Sequence, residues 1–360
     1  MKSKTLAQLE SLRRKIDLQD SNILKSISSR AELVKSIGAL KTRTGQDFYV
    51  PHREKKIIAR LIANNKGPLG SFAVESIFRE ILNACRSLES RIKVAYLGPE
   101  ATFTHQAALK NFGAGAQYLT AKTISDVFTE VEKGRADYGV VPIENSTEGI
   151  INHTLDMFIE SDLVVCAELS LQIEECLLSR SVNKKDIKKI YSHPSPLGQC
   201  RNWLEENFPG VPVVETSSTV AAAKKASEEK GAAAIGPRAA AALYDLELLA
   251  AGIEDSKENY TRFLVIGHQP ADISGQDKTS IMFSIKDRVG ALQDMLIPFK
   301  RNKISLTKIE SRPTKKKAWE YIFFIDCLGH ISEKKVQKAI SELERHCMFL
   351  KVLGSYPRAD

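Results

Sequence analysis

Tyr138-Gly139-Val140-Val141-Pro142-Ile143-Glu144-Asn145-Ser146-Thr147-Glu148-Gly149 sits near the middle of a 360-residue chain. Tyr138 to Val141 has the length and β-branched content of a buried strand. Pro142 lacks an N–H and is expected to end the ladder. Ser146 or Thr147 is placed to cap a helix running through Ile150, Ile151, Leu155, Phe158 and Ile159, which are apolar at helical spacing. In an open α/β sheet, ligands bind outside the carboxyl ends of strands, against helix N-termini that favour anions. Glu144, Asn145 and Ser146 fall at that location.

Working outward, residues 91–270 alternate strand and helix. Ile92 to Leu97 reads as a strand, Gly98 to Phe103 as a turn, and Thr104 to Phe112 as a helix. A strand at Gln117–Thr120 and a helix at Ser125–Lys133 lead into the central stretch. Apolar runs at Leu163–Leu178, Val211–Val214 and Ala232–Ile235 alternate with helices expected at Leu197–Asn207, Val220–Glu229 and Pro237–Leu249. Asn259 to Ile266 returns as a strand. This order predicts an α/β domain of two lobes with a cleft between them. Polar residues recur at strand ends: Glu144-Asn145-Ser146, Ser192-His193-Pro194, Gln199, Glu215 to Thr219 and Thr261-Arg262. Their shared placement points to one polar cleft.

Residues 1–90 read as all-helical. No Pro occurs between Thr5 and Leu40, and apolar residues recur at Leu6, Leu9, Leu12, Ile16, Ile23, Ile27, Val34 and Ile37. So long a helix needs a bundle or another subunit to cover it. A break at 42–51, containing Gly45, precedes helices at His52–Asn64 and Ser71–Ser90. At 100° per residue, Arg30 and Lys41 lie about 20° apart on the first helix, and Arg13 about 100° from Arg30. Beyond a polar linker at 271–278, the order is strand 279–285, helix 291–301, strand 305–309, strand 319–327, helix 333–346 and strand 349–355. That βαββαβ order is the split-βαβ, ferredoxin-like unit.

Bulk properties narrow the function. The chain is 43% hydrophobic and 27% charged, an ordinary globular composition. A net charge of +8 suits anionic partners. The basic runs Lys184-Lys185, Lys188-Lys189 and Lys315-Lys316-Lys317 are short and lack interleaved aromatics, which argues against a nucleic-acid partner. Six scattered cysteines, with no CxxC and no Cys/His ligand spacing, read as reduced thiols in a cytoplasmic protein. No secretory h-region and no membrane-spanning apolar run is present, so no membrane association is expected. GxGxxG, P-loop and serine-elbow motifs are absent.

Three sets of motifs carry a family resemblance. Leu12-Arg13-Arg14-Lys15-Ile16, Arg30-Ala31-Glu32-Leu33, Gly38-Ala39-Leu40-Lys41 and Arg53-Glu54 resemble the all-helical chorismate mutases, intertwined dimers in which a long helix donates an arginine to the partner's site. The resemblance implies Arg13, Arg30, Lys41, Arg53, Glu54 and Glu89 as the mutase site, with Arg13 acting across the dimer. Claisen rearrangement of a dianion needs no acid, base or nucleophile, only cations and donors that hold a compact conformer and stabilise the ether oxygen. Val50 stands where some members have Asp, and Glu89 where some have Gln. Glu89 can donate to the ether oxygen only when protonated, so mutase activity is expected to fall as pH rises unless burial raises its pKa.

Tyr96 to Glu100, Pro142 to Ser146, Ser192-His193-Pro194, Gln199-Cys200 and Asn259 to Phe263 resemble prephenate dehydratase, in order, throughout 91–270. Ala101 stands where that family usually has Gly. The resemblance implies Thr261 as the residue that protonates the departing hydroxyl, with Glu144, Asn145, Ser146, Ser192, Gln199 and Glu215 tied to substrate. A threonine hydroxyl is a poor acid, which suggests a donor relayed from a carboxyl group or water. Arg262 either binds the keto-acid carboxylate or holds its strand in place. Gly290-Ala291-Leu292 and Glu310-Ser311-Arg312-Pro313 resemble the phenylalanine-binding signatures of ACT domains, implying end-product inhibition by L-phenylalanine.

The chain as a whole thus resembles the bifunctional chorismate mutase/prephenate dehydratases. That implies a multidomain fold: all-α mutase at 1–90, two-lobed α/β dehydratase at 91–270 and α+β ACT domain at 271–360. It also implies a homodimer or higher homo-oligomer, and no metal or cofactor. Arogenate dehydratase activity in the central domain and a non-catalytic amino-acid sensor are the alternatives.

Overall fold

The computed structural model describes residues 2–44, 48–286, 288–313 and 321–359. Gly45, Lys315 to Lys317 and the expected strand start at Trp319 lie outside the described residues. The chain divides into two compact units, one of residues 1–50, 56–92 and 112–117, the other of 51–55, 93–111 and 118–360.

Three helices begin the chain: α1 (Lys2–Thr44), α2 (Pro51–Asn64) and α3 (Ser71–Arg86). α1 packs on α3, and Gly38 of α1 closely approaches Glu89 in the turn that follows α3. A Cβ there would stand 2.9 Å from the Glu89 Cα, so only glycine lets the backbones meet. Much of the apolar surface of α1 remains uncovered: Leu6, Leu12, Ile16, Leu24, Leu33 and Leu40 are all exposed.

The second unit continues with β1 (Lys93–Leu97), α4 (Phe103–Phe112), β2 (Gln117–Ala121), α5 (Ile124–Glu132), β3 (Tyr138–Asn145), β4 (Gly149–Ile150), α6 (Asn152–Glu160) and β5 (Val164–Gln172). Next come β6 (Cys176–Ser179), β7 (Lys189–Ser192), α7 (Pro194–Gln199), α8 (Arg201–Asn207), β8 (Val213–Glu215), α9 (Thr219–Glu228), β9 (Ala232–Gly236), α10 (Ala239–Tyr244), β10 (Glu247–Ala251) and β11 (Tyr260–Gly267). The C-terminal part comprises β12 (Asp277–Ser284), α11 (Ala291–Arg301), β13 (Leu306–Pro313), β14 (Tyr321–Leu328), α12 (Lys334–Glu344) and β15 (Phe349–Pro357).

Two sheets form the two lobes. The first runs β2-β1-β3-β11-β5, with β4 paired to β3; the second runs β10-β6-β9-β7-β8. The chain crosses between them twice, from β5 to β6 through Ile173–Glu175 and from β10 back to β11 through 252–259. The third sheet, β13-β14-β12-β15, is antiparallel throughout and has the expected ferredoxin-like order. Its β15 runs against β5, where a Cβ on Gly354 would meet the Val165 carbonyl oxygen at 2.3 Å. Apolar side chains of the first sheet, α6 and the third sheet share one core: Val141, Leu155, Phe158, Val165 and Leu264 pack with Met282, Phe324, Leu353 and Tyr356.

Several local expectations need correction. β3 does not stop at Pro142 but continues to Asn145. Glu144 pairs with Arg262 and Pro142 with Phe263, so Ile143 is the extra residue of a bulge, a position that tolerates a proline without an N–H. The helix does not begin at Ser146 or Thr147. A hairpin into β4 intervenes, and α6 starts at Asn152 without a side-chain cap. The apolar run 163–178 is two strands in different sheets, and 247–251 is strand β10 rather than the end of a helix. The polar segment expected as linker ends early, because Asp277 and Lys278 already belong to β12.

Candidate functional site

Thr261 on β11 and Asn145 on β3 are register partners at the end of an antiparallel ladder. Both are buried, and the Asn145 Nδ2 donates to the Thr261 Oγ1 at 2.8 Å. The same amide donates to the Asn259 Oδ1 at 2.9 Å. Asn259 lies two residues before Thr261 and therefore on the same face of the extended chain. Its Nδ2 donates to the Gln199 Oε1 at 2.7 Å, and the Gln199 Nε2 donates to the Glu148 Oε1 at 3.0 Å. Ser195 also donates to Glu148. This polar chain crosses from the first lobe (Thr261, Asn145, Asn259) to α7 of the second (Ser195, Gln199).

The turn after β3 is organised by the same asparagine. The Asn145 Oδ1 accepts from the backbone N–H groups of Thr147 and Glu148, both at 2.9 Å. Those amides, expected to cap a helix and receive an anion, are thereby used by the protein itself. Ser146 is also internally committed: its hydroxyl donates to the Glu258 carbonyl at 2.9 Å and accepts from the Tyr260 N–H at 3.0 Å. Chemically, the arrangement leaves Thr261 accepting one amide hydrogen bond, with its own proton uncommitted among the described residues. A hydroxyl so held is a donor aimed by its neighbours.

Glu144 and Arg262 are the next pair along the ladder and face the other way, as alternation requires. Arg262 meets Asp326 at 2.7 Å, Glu168 at 3.1 Å and Glu144 at 3.3 Å. Glu144 also meets Lys308 at 3.2 Å. Of the two roles expected for Arg262, this geometry matches holding the strand: its guanidinium is occupied by three carboxylates on the side away from Thr261.

Ser192, at the end of β7, is fully buried, and its hydroxyl donates to the Ile235 carbonyl at 2.8 Å. Glu215 is its register partner on β8 and is exposed. No contact described here joins Ser192 or Glu215 to the Thr261 chain. Three participants escaped the sequence reading. Asn259 was recoverable from the two-residue period, whereas Glu148 and Ser195 meet across lobes and had no local signal. Glu175 is a further buried carboxyl, on the first crossing between lobes. Neither of its oxygens has a partner, and its backbone N–H donates to Glu254 on the second crossing at 2.9 Å. Burial, then the nearby charges of Glu254 and Glu148, push it up to about 8. It is the neutral carboxyl of this neighbourhood.

On the helical unit, Lys41 pairs with Glu89 at 3.0 Å, beside the Gly38 crossing. Arg13 is exposed on α1; Arg30 is half-buried, with its Nη1 enclosed and unpartnered. Arg53 and Glu54 lie in the first turn of α2. In the C-terminal part, Gly290 precedes α11 in the left-handed conformation, Ala291 is buried and Leu292 exposed. Glu310 to Pro313 finish β13, an edge strand, and Arg312 meets Asp156 of α6 at 2.8 Å. Among the described residues no group of three or more His, Cys, Asp or Glu could hold a metal ion, and no helix is long and apolar enough to cross a membrane.

A helical unit, a two-lobed α/β body with a polar cleft and a ferredoxin-like module place the chain among multidomain enzymes of small-metabolite chemistry. The chorismate mutase type II family model matches residues 12–90, the prephenate dehydratase model 94–271 and the ACT domain model 279–345. Over 98% of its length the chain is 50% identical to the bifunctional chorismate mutase/prephenate dehydratase of Aquifex aeolicus (strain VF5), covering 99% of that protein. It is 46% identical to the Pseudomonas aeruginosa enzyme of the same name, over 98% of both chains. The crystal structure of prephenate dehydratase from Arthrobacter aurescens in complex with L-Phe superposes with a TM-score of 0.70, at 34% identity, over 74% of this chain and 90% of that one. The chain belongs to the bifunctional chorismate mutase/prephenate dehydratase family: it rearranges chorismate to prephenate and converts prephenate to phenylpyruvate.

Proposed function

We propose that the two reactions use separate parts of the chain, mutase at 1–90 and dehydratase at 91–270, with 271–360 as the regulatory ACT domain. The hydrogen bond from Asn145 to Thr261 supports the dehydratase site most directly. Prephenate loses carbon dioxide and its ring hydroxyl, and aromatisation drives the reaction. One proton must reach the departing oxygen so that water leaves. Thr261 donates a hydrogen bond to that oxygen, Asn145 fixes the donor, and Asn259, Gln199 and Glu148 keep the lobes registered around the substrate. Ser146, Ser192, Glu144, Glu215 and Arg262 act by shaping the cleft.

In the mutase, Arg30, Lys41, Arg53, Glu54 and Glu89 are the residues that serve the reaction, and Arg13 acts from a partner subunit. The uncovered apolar surface of α1 supports a homodimer. L-phenylalanine binds at Gly290 to Leu292 and Glu310 to Pro313 and inhibits the dehydratase, in a cytoplasmic enzyme. Prephenate, rather than arogenate, is the substrate. Turnover of the two compounds, each with and without L-phenylalanine, tests this reading. Prephenate turnover that phenylalanine suppresses supports it; preferential turnover of arogenate, or indifference to phenylalanine, rejects the corresponding part.

A further inference from the structure

Between the first and third sheets lies a cluster of six ionised side chains, three of each sign. Arg262 and Glu144 come from the catalytic strands β11 and β3, and Glu168 from β5. Lys278, Lys308 and Asp326 come from β12, β13 and β14. Besides the Arg262 and Glu144 contacts already given, Lys278 meets Glu168 at 2.8 Å. The Ser280 hydroxyl donates to Asp326 at 2.6 Å and lies 2.6 Å from the Tyr356 hydroxyl. Most of the cluster is out of water: Glu168 is 1% exposed at its side chain, Asp326 9% and Lys308 10%.

We propose that Asp326 and Lys308, on the C-terminal sheet, are positioning residues of the dehydratase reaction, holding through Arg262 and Glu144 the strand ends that carry Thr261 and Asn145. The proposal rests on the assignment of the dehydratase site to Thr261 and Asn145. Three observations carry it. First, each anchored residue is the immediate chain neighbour of a site residue, on the opposite face of the ladder. Second, the ladder is irregular at this point: its register shifts between Arg262 and Phe263, and Pro142 has no N–H to give. Side-chain anchors therefore set the relative height of β3 and β11 where backbone pairing is weakest. Third, the charges balance only if both sheets contribute, so removing one C-terminal partner leaves an unpaired charge among the strands it held.

The electrostatics agree. Burial alone would raise the Asp326 carboxyl, but the Arg262 and Lys278 charges, together with hydrogen bonds from Ser280 and Arg262, outweigh it and hold the group below its ordinary range. Burial and the same arginine push the Lys308 ammonium down, with Glu144 opposing them. Lys308 also stands two residues before the candidate phenylalanine segment at Glu310. A change in β13 therefore reaches Asn145 through one ion pair, and ligand at that segment can act on the cleft by moving this contact.

The test uses the full-length protein and reads both activities from each preparation. Asp326→Asn is expected to lower the dehydratase kcat at least tenfold, with KM within about threefold and the mutase rate unchanged. Asp326→Glu should recover part of the loss. Lys308→Met should lower kcat in the same sense and weaken inhibition by L-phenylalanine. If Asp326→Asn fails to fold, as loss of the parental circular dichroism spectrum and melting transition would reveal, Lys308→Met decides by the same criteria. Thr261→Val is the control. If it abolishes dehydratase turnover while folded Asp326→Asn and Lys308→Met keep the parental kcat, the positioning proposal is overturned and the site assignment stands. If Thr261→Val retains turnover, the site assignment itself is overturned.

Discussion

Glu175→Gln provides a test that follows from burial. In the parent, the carboxyl sits between the lobes with neither oxygen partnered, and it is pushed from 4.5 up to about 8, first by burial and then by the charges of Glu254 and Glu148. Between those values the folded chain keeps a proton that the unfolded chain releases. Stability is therefore fully present below pH 4.5 and declines as pH rises through this window. At about 1.4 kcal/mol per pH unit, the full window corresponds to roughly 3–5 kcal/mol. In a unit of this size that is a fall of roughly 5–10 °C in melting temperature. Glutamine keeps the shape of the neutral acid, cannot ionise, and can donate toward Glu148 and Glu254. Scanning calorimetry of parent and variant from pH 4 to pH 8.5 should give curves that meet near pH 4 and separate progressively above about pH 5, with the variant melting higher. Parallel curves over the whole range would refute the reasoning, because they would mean that the Glu175 proton is not retained on folding.

Three further outcomes are expected. Ala101 has φ +66°, the left-handed region in which a Cβ costs about 1–2 kcal/mol, so Ala101→Gly should raise the dehydratase melting temperature by a few degrees. Gly38→Ala puts a Cβ 2.9 Å from the Glu89 backbone and should push α1 away from the turn that carries Glu89, cutting the mutase rate at least tenfold while sparing the dehydratase. Glu89→Gln replaces the partner of Lys41 with a neutral amide that can donate a hydrogen bond, and the variant should keep or raise the mutase rate at neutral pH.

Element types along this chain were legible where the hydrophobic period was long, as in α1 and the C-terminal βαββαβ unit. They failed where local chemistry offered two outcomes. Asn145 followed by Ser146 and Thr147 suits a helix cap and an Asx turn equally. The Asx turn occurs, because the Asn145 oxygen binds the Thr147 and Glu148 amides and the chain turns back into β4. The apolar run 163–178 could not announce a change of sheet, since both halves are buried strands. Lys278 reads as linker by polarity, yet it is buried because Glu168, 110 positions earlier, receives its charge. The site divides similarly. Asn145 and Thr261 were named from motifs and lie in contact, and Asn259 follows from strand periodicity. Glu148, Ser195 and Glu175 depend on how two lobes and two crossings meet, which no local pattern encodes. Ala101 shows the converse: a departure from the usual glycine left the left-handed turn in place.

The most direct measurement supplies chorismate to purified parent protein and to Thr261→Val, following chorismate, prephenate and phenylpyruvate in time. Removing one hydrogen-bond donor made to developing charge costs about 10²–10³ in rate. The parent should pass chorismate through to phenylpyruvate. The variant should consume chorismate at the parental rate, accumulate prephenate and make phenylpyruvate at least a hundredfold more slowly. Phenylpyruvate formed by Thr261→Val at the parental rate, or chorismate left untouched by the parent, would contradict the assignment of two reactions to two parts of this chain.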